Sequence, residues 1–503
     1  MRLSRAGVGI AALLGVAALP GAAGAYDQAV HAYLSARAYP GPKTVAPSAP
    51  PQAATDALRA RVWQAGSGAS DPKLAARFLA RYPNPAAFDV WAFKEFLGLN
   101  PERAIAGLDA TALPAGSGGA QVYALASRLP DDDFRNRDRF RHDASRKVLR
   151  DAYGQPVPDD PATLEMGGLT GLSSQAHAHY QLPRLPFSDD PAVLKRDPRR
   201  FAIPPTVHTF GADYAELYTE LAVLAAHLPN PDERLVLTLS GAAAHHLEDV
   251  ANQIHTVQVG IYDFFVDAKI ESIKEELRSM GGILRSRPTF VAIGIDIISN
   301  HHTLAESLYE KHLLRPGDPV RALTEHQPVD PAFALDLGRV KPGCAPGFAR
   351  ALTYALADRS SYEGPEVYQR IRDVAQRRYS RVGNHFTETE DPDLALRPGA
   401  KLDRFYALEA LGARRSDQVL AAWWQRFDAC RAAGPDVDAR FAEALVSDRL
   451  DALDAADARA RAYLPKAPVK EAIDLWVPAG YLLLLLAAFF LGRRLRRRRR
   501  GRA

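Results

Sequence analysis

Apolar residues recur at three- and four-residue spacing through most of this chain, the signature of amphipathic helices packed on a shared core. The pattern predicts helices over 53–64, 72–82, 86–97, 212–227, 232–252, 261–280, 291–313, 346–357, 365–378, 418–432 and 437–463. No convincing apolar-polar alternation of the kind a half-buried strand needs falls between them. Prolines gather between the periodic segments, where they interrupt no helical hydrogen bond. The expected fold is therefore all-α: a multi-helix bundle domain over 26–312, a C-terminal helical region over 313–470 and one transmembrane helix beyond it. Two stretches stand apart. Pro40 to Pro51 is a proline-rich linker, and 137–205 is a long irregular connection of a length that usually carries function inside a helical domain.

Both ends carry targeting patterns. Arg2 and Arg5 precede an apolar run from Ala6 to Leu19 and a small-residue segment ending Ala23-Gly24-Ala25, the layout of a secretory signal over 1–25. Its removal would make Tyr26 the first residue. Leu475 to Gly492 is an uncharged stretch of 18 residues, long enough to span a bilayer, and eight arginines follow it in 493–503. The positive-inside rule assigns that tail to the cytoplasm, so the bulk of the chain is expected outside it, periplasmic or on an outer face, and anchored by the C-terminal helix. A sorting tail exchanged for another anchor has a similar layout, but no Pro-Glu-Pro, Gly-Gly or Cys element stands just before the helix.

These ends change the charge picture. The formal charge is +4, yet ten of the 63 basic residues lie in the signal and the tail, which contain none of the 59 acidic ones, so the remainder is −6. The apparent basicity gives no support to nucleic-acid binding. The two cysteines, Cys344 and Cys430, are too few for a disulfide framework or a thiolate zinc cluster. An oxidising compartment permits them to pair, but a separation of 86 residues does not show that they meet. Any metal must rest on Asp, Glu and the 14 histidines.

Those histidines are patterned. His245 and Asp249 are four apart, about 40° around a helix, and can grip one ion from one face. His255, six residues on, would lie roughly 240° further round a continuing helix and so point elsewhere. His302 and Glu306 repeat the four-residue spacing and could form a second group with His255, all of them ligand types suited to zinc. Paired polar residues on a solvated helix face are the plain alternative. Against it, the small apolar run Gly241-Ala-Ala-Ala before His245 marks a buried helix, where uncompensated imidazoles and carboxylates are costly.

In these motifs the chain resembles the zinc-dependent phospholipases C, relatives of the fungal zinc nucleases that cleave single strands. His245, Asp249 and His255 match the family's His-x3-Asp-x5-His helix, and His302 and Glu306 its following His-x3-Glu. The resemblance implies an all-helical secreted domain holding two or three Zn2+ ions. It also implies that the mature N-terminal residue, Tyr26, and His31 bind metal, and that Glu165 and His179, fourteen apart, complete the set; His177 competes with His179, and Asp159 or Asp160 with Glu165. Asp249 would bridge two ions, one completed by Tyr26 and His31 and the other by Glu165, His179 and His245, with a third on His255, His302 and Glu306. Glu165 is the expected general base, and Asp249 and Glu165 the expected catalytic carboxylates. The chain departs from the family in having Tyr26 for Trp, Glu248 for Gly and Gln253 for Pro, and the 47-residue gap from His255 to His302 implies a helical insertion at about 260–290.

The activity implied is hydrolysis of phospholipid head groups, or of another phosphodiester, by a metal-bound hydroxide outside the cytoplasm. A zinc nuclease or other phosphodiesterase is the alternative within the same chemistry, with nucleic acid expected only as that alternative substrate. A catalytically idle, membrane-anchored metal-binding protein is the alternative outside it. His142, His208, His227, His312 and His326 lack helical carboxylate partners at metal spacing and read as structural. His385, with Glu388 and Glu390, falls after the hallmark motifs and is left out of the set. Trp423-Trp424 reads as a core contact rather than an interfacial patch.

Overall fold

The computed structural model describes residues 28–41, 51–98, 118–132, 146–148, 179–186, 188, 190–200, 210–257, 305–306, 308–326, 329–374 and 399–463, and their regular structure is helical, with no strand among the described residues. The helices are α1 (Gln28–Ala38), α2 (Pro51–Ser67), α3 (Pro72–Arg81), α4 (Val90–Leu97), α5 (Gly119–Ala126), α6 (Leu129–Asp132), α7 (Pro191–Arg196) and α8 (Gly211–Ala226). They continue with α9 (Glu233–Ala251), α10 (Pro319–His326), α11 (Pro331–Arg339), α12 (Phe348–Ser360), α13 (Gly364–Val374), α14 (Ala400–Arg431) and α15 (Pro435–Tyr463). Single 3-10 turns lie at Pro85–Ala87, Pro198–Arg200 and Gln253–Thr256, and a further helical run covers 308–314. The signal at 1–25, the insertion expected at about 260–290 and the expected spanning segment at 475–492 lie outside the described residues. Among those described, no helix is long and apolar enough to cross a membrane. The chain divides into two compact units, one drawn from 1–137 and 165–450 and the other from 138–164 and 451–503; all that follows concerns the first.

Several helix starts follow from local chemistry. Asp71-Pro72, Asp190-Pro191, Asp318-Pro319 and Asp330-Pro331 each place a carboxylate where it accepts the backbone N–H two residues on, with proline in the first helical turn, where its missing N–H costs nothing. Helix α7 therefore forms inside the stretch expected to be irregular, and α10 and α11 form where apolar spacing alone predicted no helix. Helix α5 is likewise additional.

Helix α9 is the axis of this unit. Every residue from Leu235 to Ala251 is buried, and α1, α5, α8, α12 and α14 all pack on it. Helix α8, its main neighbour, is buried without a break from Ala215 to Ala225. A helix enclosed on all sides must pair whatever polar groups it carries, and α9 carries His245, His246, Glu248 and Asp249. Helix α14 begins at Ala400 rather than Gln418, so it is much longer than the apolar spacing suggested. It buries Phe405, Leu408, Trp423, Trp424 and Phe427, and Trp423 Nε1 donates to Thr219 Oγ1 on α8 at 2.8 Å. The tryptophan pair is thus core.

Residues on both sides of position 312 share one apolar cluster, in which Val30, Tyr33 and Leu34 of α1 meet Tyr309, Leu313, Val320, Ala410 and Ala413. Cys344 and Cys430 form a disulfide, with Cα atoms 4.9 Å apart, that ties the approach to α12 to the end of α14.

Candidate metal centre

The end of α9 shapes the site. Asn252 leaves the helix in an extended conformation, its N–H donating to the Glu248 and Asp249 carbonyls and its Oδ1 accepting from Ile254 N. The chain then folds into the Gln253–Thr256 turn. This overturns the geometry expected of His255. Because the helix stops at Ala251, the imidazole is carried back to the Asp249 side instead of lying far round a continued helix. His255 Nδ1 stands 3.6 Å from Asp249 Oδ1, and its Nε2 is 3.2 Å from Glu306 Oε1.

Asp249 has a different pair of imidazoles at each oxygen. Its Oδ2 lies 2.5 Å from His179 Nδ1 and 3.1 Å from His245 Nε2, and those two nitrogens are 2.9 Å apart. Its Oδ1 is flanked by His31 Nε2 at 3.4 Å and His255 Nδ1 at 3.6 Å. All five side chains are fully buried. Of the expected site residues, His31, His179, His245, Asp249, His255 and Glu306 are therefore brought together. Tyr26, Glu165 and His302 lie outside the described residues, as do His177, Asp159 and Asp160.

Neighbouring groups hold the rings in place. His245 Nδ1 donates to the Ser127 carbonyl at 2.7 Å, which leaves Nε2 as a lone pair aimed at Asp249. That carbonyl is within reach because Gly241, one turn before His245, lets α5 approach α9: a Cβ at Gly241 would stand 2.6 Å from Tyr123 O and 2.6 Å from Ala126 Cβ. His179 is fixed through the residues after it. Gly211 N donates to Tyr180 O and Gln181 N to His255 O, both at 3.1 Å, and Gln181 Oε1 accepts from Ala212 N at 3.0 Å. The Tyr180 ring lies against His255 with centroids 4.9 Å apart.

The electrostatics are those of a concentrated lone-pair site. Burial, and then repulsion from His31, lowers the pKa of His245 to about 3, keeping it neutral. Burial opposes ionisation of Asp249, but the imidazoles around it, with the hydrogen bond from His179, hold its pKa well below the usual carboxylate range. Burial likewise opposes charge on His31, yet the hydrogen bonds and attraction of Asp249 and Glu248 raise its pKa well above that of an ordinary imidazole. His179 Nδ1, His245 Nε2 and Asp249 Oδ2 thus crowd together with at most one hydrogen among them, on His179. Asp249 Oδ1 is buried with only the longer contacts to His31 Nε2 and His255 Nδ1 beside it. Ligand atoms about 2.0 Å from a tetrahedral zinc ion sit about 3.3 Å from one another, so a slight opening of the cluster suffices to admit a cation.

His179, His245, His246 and Asp249 could hold a metal ion, with one donor atom from each lying within 4.8 Å of the others. His246 was not among the residues singled out in the sequence, where it is only the neighbour of His245. It lies parallel to the Tyr218 ring, at 5.5 Å between centroids and 9° between planes, and 5.4 Å from the His179 ring. No family model matches this chain, and no curated protein or solved structure matches it either.

Proposed function

We propose that this chain is a zinc-dependent phosphodiester hydrolase, phospholipase C-like in its chemistry, acting on phospholipid head groups outside the cytoplasm. The observation that carries the reading is the position of Asp249, a fully buried carboxylate whose two oxygens each face a separate pair of imidazoles, the arrangement suited to holding two cations. The donor set, all imidazole and carboxylate, suits zinc. Bound there, zinc would supply Lewis acidity toward a phosphoryl oxygen and an acidified water.

The residues of the chain have distinct parts. Asp249 spaces two binding positions. His179 and His245 serve one oxygen, and the Ser127 carbonyl fixes the His245 tautomer. His31 and His255 serve the other, and Glu306 reaches the far nitrogen of His255. Glu165 remains the proposed general base and Tyr26 a further ligand, both on the strength of the resemblance. The Cys344–Cys430 disulfide fits an oxidising compartment, in keeping with a signal at 1–25 and an anchor at 475–492.

The test uses the purified full-length protein, with its zinc content measured before and after chelation. It is then assayed against phosphatidylcholine vesicles and against single-stranded DNA. Zinc-dependent release of the head group is expected. Cleavage of DNA alone would support the nuclease alternative, and absence of bound zinc would refute the whole reading. Asp249→Asn is expected to abolish hydrolysis while keeping the helical circular dichroism, and wild-type activity in that variant would also refute it.

A further inference from the structure

Glu248 stands immediately before Asp249 on α9, yet it serves a different neighbour. Consecutive helical side chains diverge by about 100°, so the two carboxylates cannot face the same point. Glu248 turns toward α1, where its oxygens meet two residues one helical turn apart. Oε2 takes His31 Nδ1 at 2.7 Å and Oε1 takes the Ser35 hydroxyl at 2.6 Å. All three side chains are fully buried. The other His31 nitrogen, Nε2, points at Asp249 Oδ1 from 3.4 Å.

This relay has a chemical consequence. An imidazole whose Nδ1–H is held by a carboxylate offers Nε2 to a cation in a fixed ring plane and with raised basicity, the cation displacing the proton that Nε2 otherwise carries. The Ser35 hydroxyl holds the second oxygen, so the Glu248 carboxylate cannot rotate away from His31. We propose that Glu248, steadied by Ser35, is a positioning residue for His31, setting its tautomer and aiming Nε2 at a cation shared with Asp249 Oδ1. This role rests on the metal-centre reading above. It would explain why a long acidic side chain stands at 248 in the last turn of a buried helix, and it assigns a further use to α1 beyond carrying His31.

The rival account is that Glu248 only pins α1 to α9, or only adds negative charge. Zinc binding to the full-length, chelator-stripped protein separates these accounts, with Zn2+ alone as the probe and a chromophoric chelator as competitor. Wild type, Glu248→Gln, Glu248→Asp, His31→Gln and the Glu248→Gln/His31→Gln double variant are compared, with unfolding midpoints in chelator as the control for folding.

Glu248→Gln is expected to weaken one zinc equivalent by about 10- to 100-fold, the usual loss when a partner of a ligating histidine is removed. Glu248→Asp keeps the charge but draws the carboxylate back by about 1.5 Å, and is expected to weaken the same equivalent. The double variant should bind no more weakly than His31→Gln alone, because Glu248 acts through His31. Wild-type affinity in Glu248→Gln or Glu248→Asp would overturn the role, and so would losses that multiply in the double variant. Should Glu248→Gln fail to fold, the milder Glu248→Asp carries the test. A wild type that binds no zinc overturns this role together with the metal-centre reading, whereas a zinc-binding wild type beside an unaffected Glu248→Asp overturns this role alone.

Discussion

Gly241→Ala sets two effects of opposite sign against each other. Alanine is about 1 kcal/mol better than glycine inside a helix, so on propensity alone the substitution stabilises α9. Its Cβ, however, would stand 2.6 Å from Ala126 Cβ and from Tyr123 O. Carbon atoms in contact prefer 3.5–4.0 Å, so α5 and α9 must part locally by roughly 1 Å. Overpacking of this kind typically costs about 1–3 kcal/mol. The same parting stretches the 2.7 Å bond from His245 Nδ1 to Ser127 O beyond hydrogen-bonding range, leaving a buried donor unmet at a further cost of about 1–3 kcal/mol. The expected net effect is a destabilisation of about 3 kcal/mol, together with weaker zinc binding because the His245 ring is no longer held. Denaturant unfolding of the metal-stripped protein measures the first effect, and chelator competition measures the second. A Gly241→Ala protein as stable as wild type, with unchanged zinc affinity, would refute the claim that this close approach builds the site.

Three further outcomes are expected. Replacing Cys344 and Cys430 together with serine should lower stability by about 4–5 kcal/mol, the chain-entropy value for a crosslink across 86 residues, and an unchanged unfolding midpoint would refute this. Zinc should raise the unfolding midpoint of the wild type and lose much of that effect in Asp249→Asn, because a ligand stabilises only the state that binds it. Glu220, buried and with Oε1 making no hydrogen bond among the described residues, has its pKa raised well above the carboxylate range by burial and then by Glu216 and Asp448, against the pull of Arg350 and Arg449. The folded state then binds the proton more tightly than the unfolded one, so this group makes stability fall as pH rises above the unfolded carboxylate value. Glu220→Gln should therefore gain stability relative to wild type at pH 8 and show a smaller gain near pH 4.5, and equal gains at both would refute the assignment.

What the sequence could disclose followed the range over which its signals act. His245 and Asp249 were legible because four-residue spacing is a property of one helix, and the small apolar run before them announced its burial. The distant members were not. Nothing local to His31 or His179 says that they meet Asp249, which lies 218 and 70 residues away respectively, and only the family resemblance proposed it. His255 was misdirected by the assumption that α9 continues. The apolar pattern stops at Asn252, but the turn that Asn252 caps carries His255 back, and no periodicity describes such a turn. The early part of α14 was hidden in the same way. Gly412 sits mid-helix, where a Cβ would collide with the Tyr309 hydroxyl and come within 3.1 Å of Ala251 O. That contact places α14 against the end of α9, where Gln253 donates to Leu408 O at 2.8 Å and accepts from the Tyr309 hydroxyl at 3.1 Å.

These last contacts carry the support of the candidate metal centre beyond α9. The turn that returns His255 to Asp249 is held by α14 through Gln253, and by the segment carrying His179 through Gln181 N. Helix α1 delivers His31, and α5 delivers the Ser127 carbonyl that orients His245. Residues 248 and 253 each recruit a neighbouring helix. Glu248 engages α1 through His31 and Ser35, and Gln253 engages α14 through Leu408 O. Helices on either side of position 312 thereby come to support one cluster of imidazoles around Asp249. Gln253→Ala is therefore expected to loosen the His255 turn and weaken zinc binding in chelator competition while the bond from His245 to Ser127 O remains, and unchanged affinity would refute this coupling.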